Sequence, residues 1–175
     1  CLNSQTLQMI VVLLFIKKID MKDYYVYILI DPRSNLPFYV GKGKRKRYLE
    51  HLKEYEKQYE YYSKLYKTPA MMLSLKLKTI HELKLANKQY EYDLIENLSE
   101  EDAFLLEQSL ICWFGRQLCG NGILTNIQCG GKYGDLYFDD VSLISLIERN
   151  DLQQEILKYP RTCTEWIAKE LYFFT

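Results

Sequence analysis

Tyr25-Val26-Tyr27-Ile28-Leu29-Ile30-Asp31-Pro32, and after it Pro37-Phe38-Tyr39-Val40-Gly41-Lys42-Gly43-Lys44, is the stretch on which the reading of this chain turns. Two apolar runs flank a turn cluster, Asp31-Pro32-Arg33-Ser34-Asn35, which is the pattern of a β-hairpin. Each run carries tyrosines. The second runs directly into glycine and cationic residues, so the hairpin has a polar, charged exit.

Working outward, the chain has 175 residues, of which 48% are hydrophobic, enough for one globular domain with extensions and a real core. The formal net charge is zero. Yet Lys42, Lys44, Arg45, Lys46 and Arg47 crowd one short block, and a local cationic patch on a neutral protein still attracts phosphate. The 5 cysteines show no CxxC and no paired spacing, which argues against a zinc site or a disulfide framework and for a reducing compartment. The longest apolar run, Met9 to Ile16, is too short to span a bilayer and lacks the flanks of a signal peptide, so a membrane role is not expected. Residues 1–20 read as an N-terminal extension upstream of a native start at Met21.

Beyond the hairpin the period turns helical from Lys44. Tyr48, Leu52, Tyr55, Tyr59, Tyr62 and Tyr66 form one stripe. Packing of that stripe on the sheet is the preferred reading, with base stacking as the alternative. Thr68-Pro69 breaks the chain, and a second helix is expected from Ala70 to Ala86. Tyr90 to Ile95 alternates as a half-exposed strand, with Tyr90, Tyr92 and Leu94 on one face. Ser99 is an N-cap with acids after it, opening a helix through Trp113 to Gly115. After Gly134 short helices are expected from Asp139, Asp151 and Thr164. Pro160 to Leu171 reads as a helical cap or as the first helix of a helix-turn-helix. The predicted class is α/β (α+β): a small, largely antiparallel three-stranded sheet flanked by helices in the order β-β-α-α-β-α, with a helical C-terminal extension.

Several residues carry chemistry. Glu107 sits on an otherwise apolar helix, where a carboxylate lies at a narrow polar edge or is kept partly desolvated. Arg47 and His51 share a helix face beside the cationic block. His81 reads as structural. Gly41-Lys42-Gly43-Lys44 is too short and too poor in glycine for a P-loop, so no nucleotide cofactor is expected. A phosphodiester surface built on Lys42, Lys44, Arg45, Lys46 and Arg47 fits the block better.

Together these signals resemble the GIY-YIG nuclease family over about residues 22–134, with 135–175 as a helical appendage. Tyr25-Val26-Tyr27 stands where the family has Gly-Ile-Tyr, and Tyr39-Val40-Gly41 where it has Tyr-Ile-Gly, followed by Lys42. Arg47 with His51 matches the helix motif, Glu107 the metal-binding carboxylate and Asn126 the later asparagine. Within the family the likeness is greatest to uncharacterised bacterial and phage proteins and to the nuclease module of LEM-domain proteins that cut branched DNA. Tyr25 in place of glycine is the main departure; it implies that the backbone there need not be approached closely.

The resemblance implies a metal-dependent endonuclease that hydrolyses DNA and leaves 5′-phosphate and 3′-hydroxyl ends. Glu107 would hold one Mg²⁺ or Mn²⁺, and Tyr27, Tyr39, Lys42, Arg47, His51 and Asn126 would complete the site. A tyrosine is the expected general base, with Tyr27 favoured, Tyr39 as its partner and His51 passing the proton onward. A free tyrosine ionises near pH 10, about 3 units too high, or about 4 kcal/mol. Lys42, Arg47 and the ion are the expected offsets. Cytoplasmic DNA, branched forms included, is the expected partner, in a bacterial or phage setting of DNA repair or mobile elements. The competing readings are a silent nucleic-acid-binding adaptor and a nuclease directed at RNA.

Overall fold

The computed structural model describes residues 22–130 and 145–163. The sheet has three antiparallel strands in the order β2-β1-β3, with β1 at Tyr24–Asp31, β2 at Leu36–Gly43 and β3 at Glu91–Leu98. The central position of β1 explains its unbroken apolar run, because both of its faces are covered. Val26 and Ile28 are buried on one face, Tyr27 and Leu29 on the other. The hairpin turn is closed by a hydrogen bond from the Asn35 amide to the Asp31 carbonyl (2.8 Å), with Asn35 in the left-handed region at φ 57°.

Helix α1 spans Glu50–Leu65 and follows a 3₁₀ turn at Arg47–Leu49. The helical period expected from Lys44 therefore begins later, and Arg45 takes a left-handed φ of 56° in the turn before it. Helix α2, expected from Ala70, is Leu75–Leu85. A 3₁₀ turn occupies Pro69–Met72, and the α-helix waits for Ser74, whose hydroxyl accepts from the Leu77 amide. Helices α1 and α2 cover the Tyr27 face. The Tyr55 ring is buried in that core, against which Tyr48, Leu52, Tyr59 and Tyr62 also pack. This is the packing reading of the tyrosine stripe, although Tyr66 at its end is exposed. His81 is structural as expected, with Nδ1 at 2.9 Å from the Tyr55 hydroxyl.

Helix α3, Glu100–Phe114, covers the opposite face. Ser99 caps it as expected, accepting from the Asp102 amide at 3.0 Å, and Gly115 ends it at φ 69°. Strand β3 outruns its expected end at Ile95. Three residues of β1, Tyr24 to Val26, oppose four of β3, Ile95 to Leu98, in a bulge with Asn97 at φ 61°. The extra residue keeps Ile95 and Leu98 both on the α3 side. Helix α4, Asn150–Leu157, packs Leu152 and Ile156 into the same core as α3. Chain beyond α4 is tied down by Trp113 Nε1 donating to the Tyr159 carbonyl at 2.9 Å and the Thr162 hydroxyl donating to the Phe114 carbonyl at 2.7 Å. Residues 1–20, the start of the helix expected from Asp139 and the helix expected from Thr164 lie outside the described residues; the end of the former, residues 145–147, is helical and buries Leu146 in the same core. Among the described residues no helix is long and apolar enough to cross a membrane.

Candidate active site

The site is built on the outer edge of β2. An edge strand presents amides and carbonyls that no neighbouring strand pairs. Here side chains take them. Asn126 clasps Val40 from both sides: its Oδ1 accepts from the Val40 amide at 3.0 Å and its Nδ2 donates to the Val40 carbonyl at 2.8 Å. The Phe38 carbonyl accepts from the Thr125 amide and hydroxyl, each at 2.7 Å. Next along the edge, Glu107 Oε1 accepts from the Lys42 amide at 2.8 Å. Thus Glu107, 65 residues from Lys42 in sequence, is fixed against the hairpin by a backbone bond. Gly130 backs it, at φ 78°, where an added Cβ would stand 3.2 Å from Glu107 Oε2.

The α1 side of the same strands holds the tyrosines. The Tyr27 hydroxyl lies 2.8 Å from His51 Nε2, and both residues are buried. The half-buried Tyr39 ring stands 6.2 Å from that of Tyr27 and 5.3 Å from His51. The glycines of Gly41-Lys42-Gly43 follow from this packing. A Cβ at Gly41 would be 2.5 Å from the Tyr27 hydroxyl, and one at Gly43 would be 2.8 Å from that of Tyr25. Tyr25 pairs with Gly43 in register, so its ring takes the space that the missing side chain leaves. These are glycines of close approach, and no phosphate-cradling loop is formed.

Burial sets the electrostatics. It pushes the Tyr27 hydroxyl far above the ordinary tyrosine range; Tyr39 and Glu107 add to the rise and Arg47 opposes it. Tyr39 is pushed up to about 12, by burial first and then by Glu107, with Arg47 and the neighbouring Tyr27 hydroxyl pulling it back. Tyr39 is therefore the more readily ionised of the two. Burial, then the charge of Lys76, pushes His51 down to about 4 against the pull of Glu54, so its imidazole is neutral at pH 7.

The structure brings Tyr27, Tyr39 and His51 together on one face, and Glu107 and Asn126 to the adjoining edge. Lys44, Arg45, Lys46 and Arg47 are exposed in the turn leading to α1. The side chain of Lys42 goes elsewhere. Its partner across the ladder is Val26, so it projects to the α3 face, where its Nζ meets Glu100 at 2.9 Å and lies 3.4 Å from the Phe104 ring centroid. Sequence reasoning passed over Glu54 and Lys76, which surround His51 Nδ1 at 3.4 and 3.1 Å. Glu54 was findable, three residues after His51 on one helix face; nothing local marks Lys76, which arrives from α2.

Among the described residues, no three His, Cys, Asp or Glu side chains converge. The donor set fits one hard cation held by a single half-buried carboxylate and otherwise by water. A groove of about 520 Å³ between α1, α2 and β3, lined by Leu49, Ile80, Leu83, Tyr90 and Tyr92, includes none of these candidate residues.

A family model described as LEM-3-like GIY-YIG domain matches residues 24–143. No curated protein and no solved structure matches the chain.

Proposed function

The chain belongs to the LEM-3-like GIY-YIG domain family, and from that premise we propose that it is an endonuclease that hydrolyses DNA phosphodiesters with one divalent ion. The observation that carries this reading is the bond from the Lys42 amide to Glu107, which sets a carboxylate beside the tyrosines of the hairpin. Residues 22–134 would form the catalytic unit, with the chain after them bracing α3.

Glu107 would hold Mg²⁺ or Mn²⁺, which supplies Lewis-acid stabilisation of charge developing on the phosphate and the leaving oxygen. Tyr39 is better suited than Tyr27 to accept the proton of the attacking water. It is less buried, and its ionisation is opposed less. Its value of about 12 still leaves about 5 units, near 7 kcal/mol, to be offset at neutral pH. Arg47, already lowering both tyrosines, is the resident source of that offset. Tyr27 and His51 orient Tyr39 from behind. Asn126 holds β2 straight beneath it, and Lys44, Arg45 and Lys46 meet the flanking phosphates. Lys42 acts through its backbone, which seats Glu107, and through the ion pair that braces Glu100. The products would carry 5′-phosphate and 3′-hydroxyl ends.

The test is a panel of supercoiled plasmid, forked and four-way-junction DNA and structured RNA, each with Mg²⁺ or Mn²⁺. Glu107→Gln is the reference, since it keeps an acceptor for the Lys42 amide and removes the charge. Metal-dependent cutting of DNA by the wild type alone supports the reading. Equal binding with no cutting by either protein would make the chain an adaptor, and cutting confined to RNA would change the substrate.

A further inference from the structure

His51 has two ring nitrogens and, when neutral, one proton. Which nitrogen carries it decides whether His51 gives a hydrogen bond to Tyr27 or takes one. The neighbours of Nδ1 settle this. Lys76 Nζ lies 3.1 Å from Nδ1, and an ammonium group can only donate, so that contact needs a lone pair on Nδ1. The Glu54 carboxylate, which could only accept from an Nδ1 proton, is farther away at 3.4 Å, outside the usual N–H···O range. The same oxygen is engaged by Lys76 at 2.8 Å. Glu54 thus holds Lys76, and Lys76 faces His51. Only 13% of the Lys76 side chain is exposed, so water competes little for this arrangement.

We propose that Lys76, anchored by Glu54, is a positioning residue that fixes His51 with its proton on Nε2, so that hydrogen bonds are donated in one direction from Lys76 through His51 to Tyr27, leaving the Tyr27 hydroxyl proton to face the adjacent Tyr39. Nε2–H donates to the Tyr27 oxygen across 2.8 Å. With its oxygen accepting from His51, the Tyr27 hydroxyl keeps its own proton to give, and Tyr39 is the neighbouring ring on β2, 6.2 Å away between centroids. A chain of donors aimed at one oxygen stabilises negative charge there. His51 in this role is a donor that supports a base and does not itself receive the proton. The groups facing its ring are Tyr27 from β1, Tyr39 from β2, Arg47 from the 3₁₀ turn, Glu54 from α1 and Lys76 from α2. The catalytic consequence rests on the nuclease reading; the tautomer does not.

The two parts are tested separately. The chain has 2 histidines, so ¹⁵N-histidine labelling with His81→Gln isolates the signals of His51. Long-range ¹H–¹⁵N correlation spectra of the apo protein at pH 7 report the tautomer directly. The expected result is Nε2–H in the wild type, loss of that preference in Lys76→Met, and its retention in Lys76→Arg. In single-turnover cleavage, Lys76→Met should fall roughly 10- to 100-fold at unchanged DNA affinity, with Lys76→Arg restoring most of the rate and Glu54→Gln lying between. An Nδ1–H tautomer in the wild type overturns the inference, as does a tautomer that Lys76→Met and Glu54→Gln, both folded by circular dichroism, leave unchanged. A wild type with the Nε2–H tautomer that cuts no nucleic acid overturns the nuclease reading and the catalytic role, while the tautomer assignment stands.

Discussion

Tyr27 and Gly41 act as a pair. The ring of Tyr27 lies over the backbone of Gly41, and this closeness lets the hydroxyl reach His51. Gly41→Ala would place a methyl group 2.5 Å from that hydroxyl and force the ring away. The expected cost is about 1–3 kcal/mol of stability, measured by urea denaturation, together with loss of the Tyr27–His51 contact. His51 carries a pH dependence of its own. Its folded value of about 4 lies below its ordinary 6.5, so the unfolded chain binds more protons between the two. The associated stability, about 3 kcal/mol, is then fully present above pH 6.5 and lost as the pH falls toward 4. An NMR titration placing the His51 midpoint near 4 would agree; a midpoint at 6.5 would not.

At the scale of elements, the decisive feature is the clasped edge of β2. Asn126 serves both polar groups of the Val40 backbone. Asn126→Ala would leave a buried amide and a buried carbonyl without that partner, at a cost of about 3 kcal/mol by thermal or urea unfolding. Because Glu107 binds the next amide along, metal affinity should weaken as well. The elements themselves were largely legible in the sequence. The hairpin followed from two β-branched and aromatic runs around a turn cluster, and α3 from its Ser99 cap. The start of α2 differs from expectation because the 3₁₀ turn at Pro69–Met72 spaces side chains much as a helix does, and that of α1 because, besides the 3₁₀ turn at Arg47–Leu49, the left-handed φ of Arg45 leaves no mark in the sequence. The bulge at Asn97 was invisible because it depends on register against β1. At the site, residue identities were readable, but the direction of a side chain was readable only where strand alternation was applied. Lys42 shows this: Val26 opposite it places its ammonium on the α3 face, beside Glu100. Lys76 was hidden because its contact with His51 joins two helices.

Across the whole molecule, zero net charge means that attraction to nucleic acid must come from placement. Lys44, Arg45, Lys46 and Arg47 stand exposed between β2 and α1, with Arg47 beside Tyr27 and Tyr39 and the Lys44 ammonium 3.9 Å from the Tyr24 ring centroid on the α3 side. Removing one phosphate contact there, as in Lys46→Ala, should reduce the slope of log affinity against log salt by about 0.9 on duplex DNA and weaken binding evenly across sequences. The far side of the molecule has a different task. Leu152 and Ile156 of α4 and the bond from Trp113 to Tyr159 brace α3 from behind, so the helix that carries Glu107 is held on two sides. The central claim is that Glu107, seated on the hairpin, makes this fold a hydrolase. The most direct measurement is the single-turnover cleavage rate of end-labelled DNA in Mg²⁺ for the wild type and Glu107→Gln, with DNA affinity measured in parallel. The account predicts a loss of at least about 1,000-fold in rate at unchanged affinity, whereas equal rates for the two proteins would contradict it.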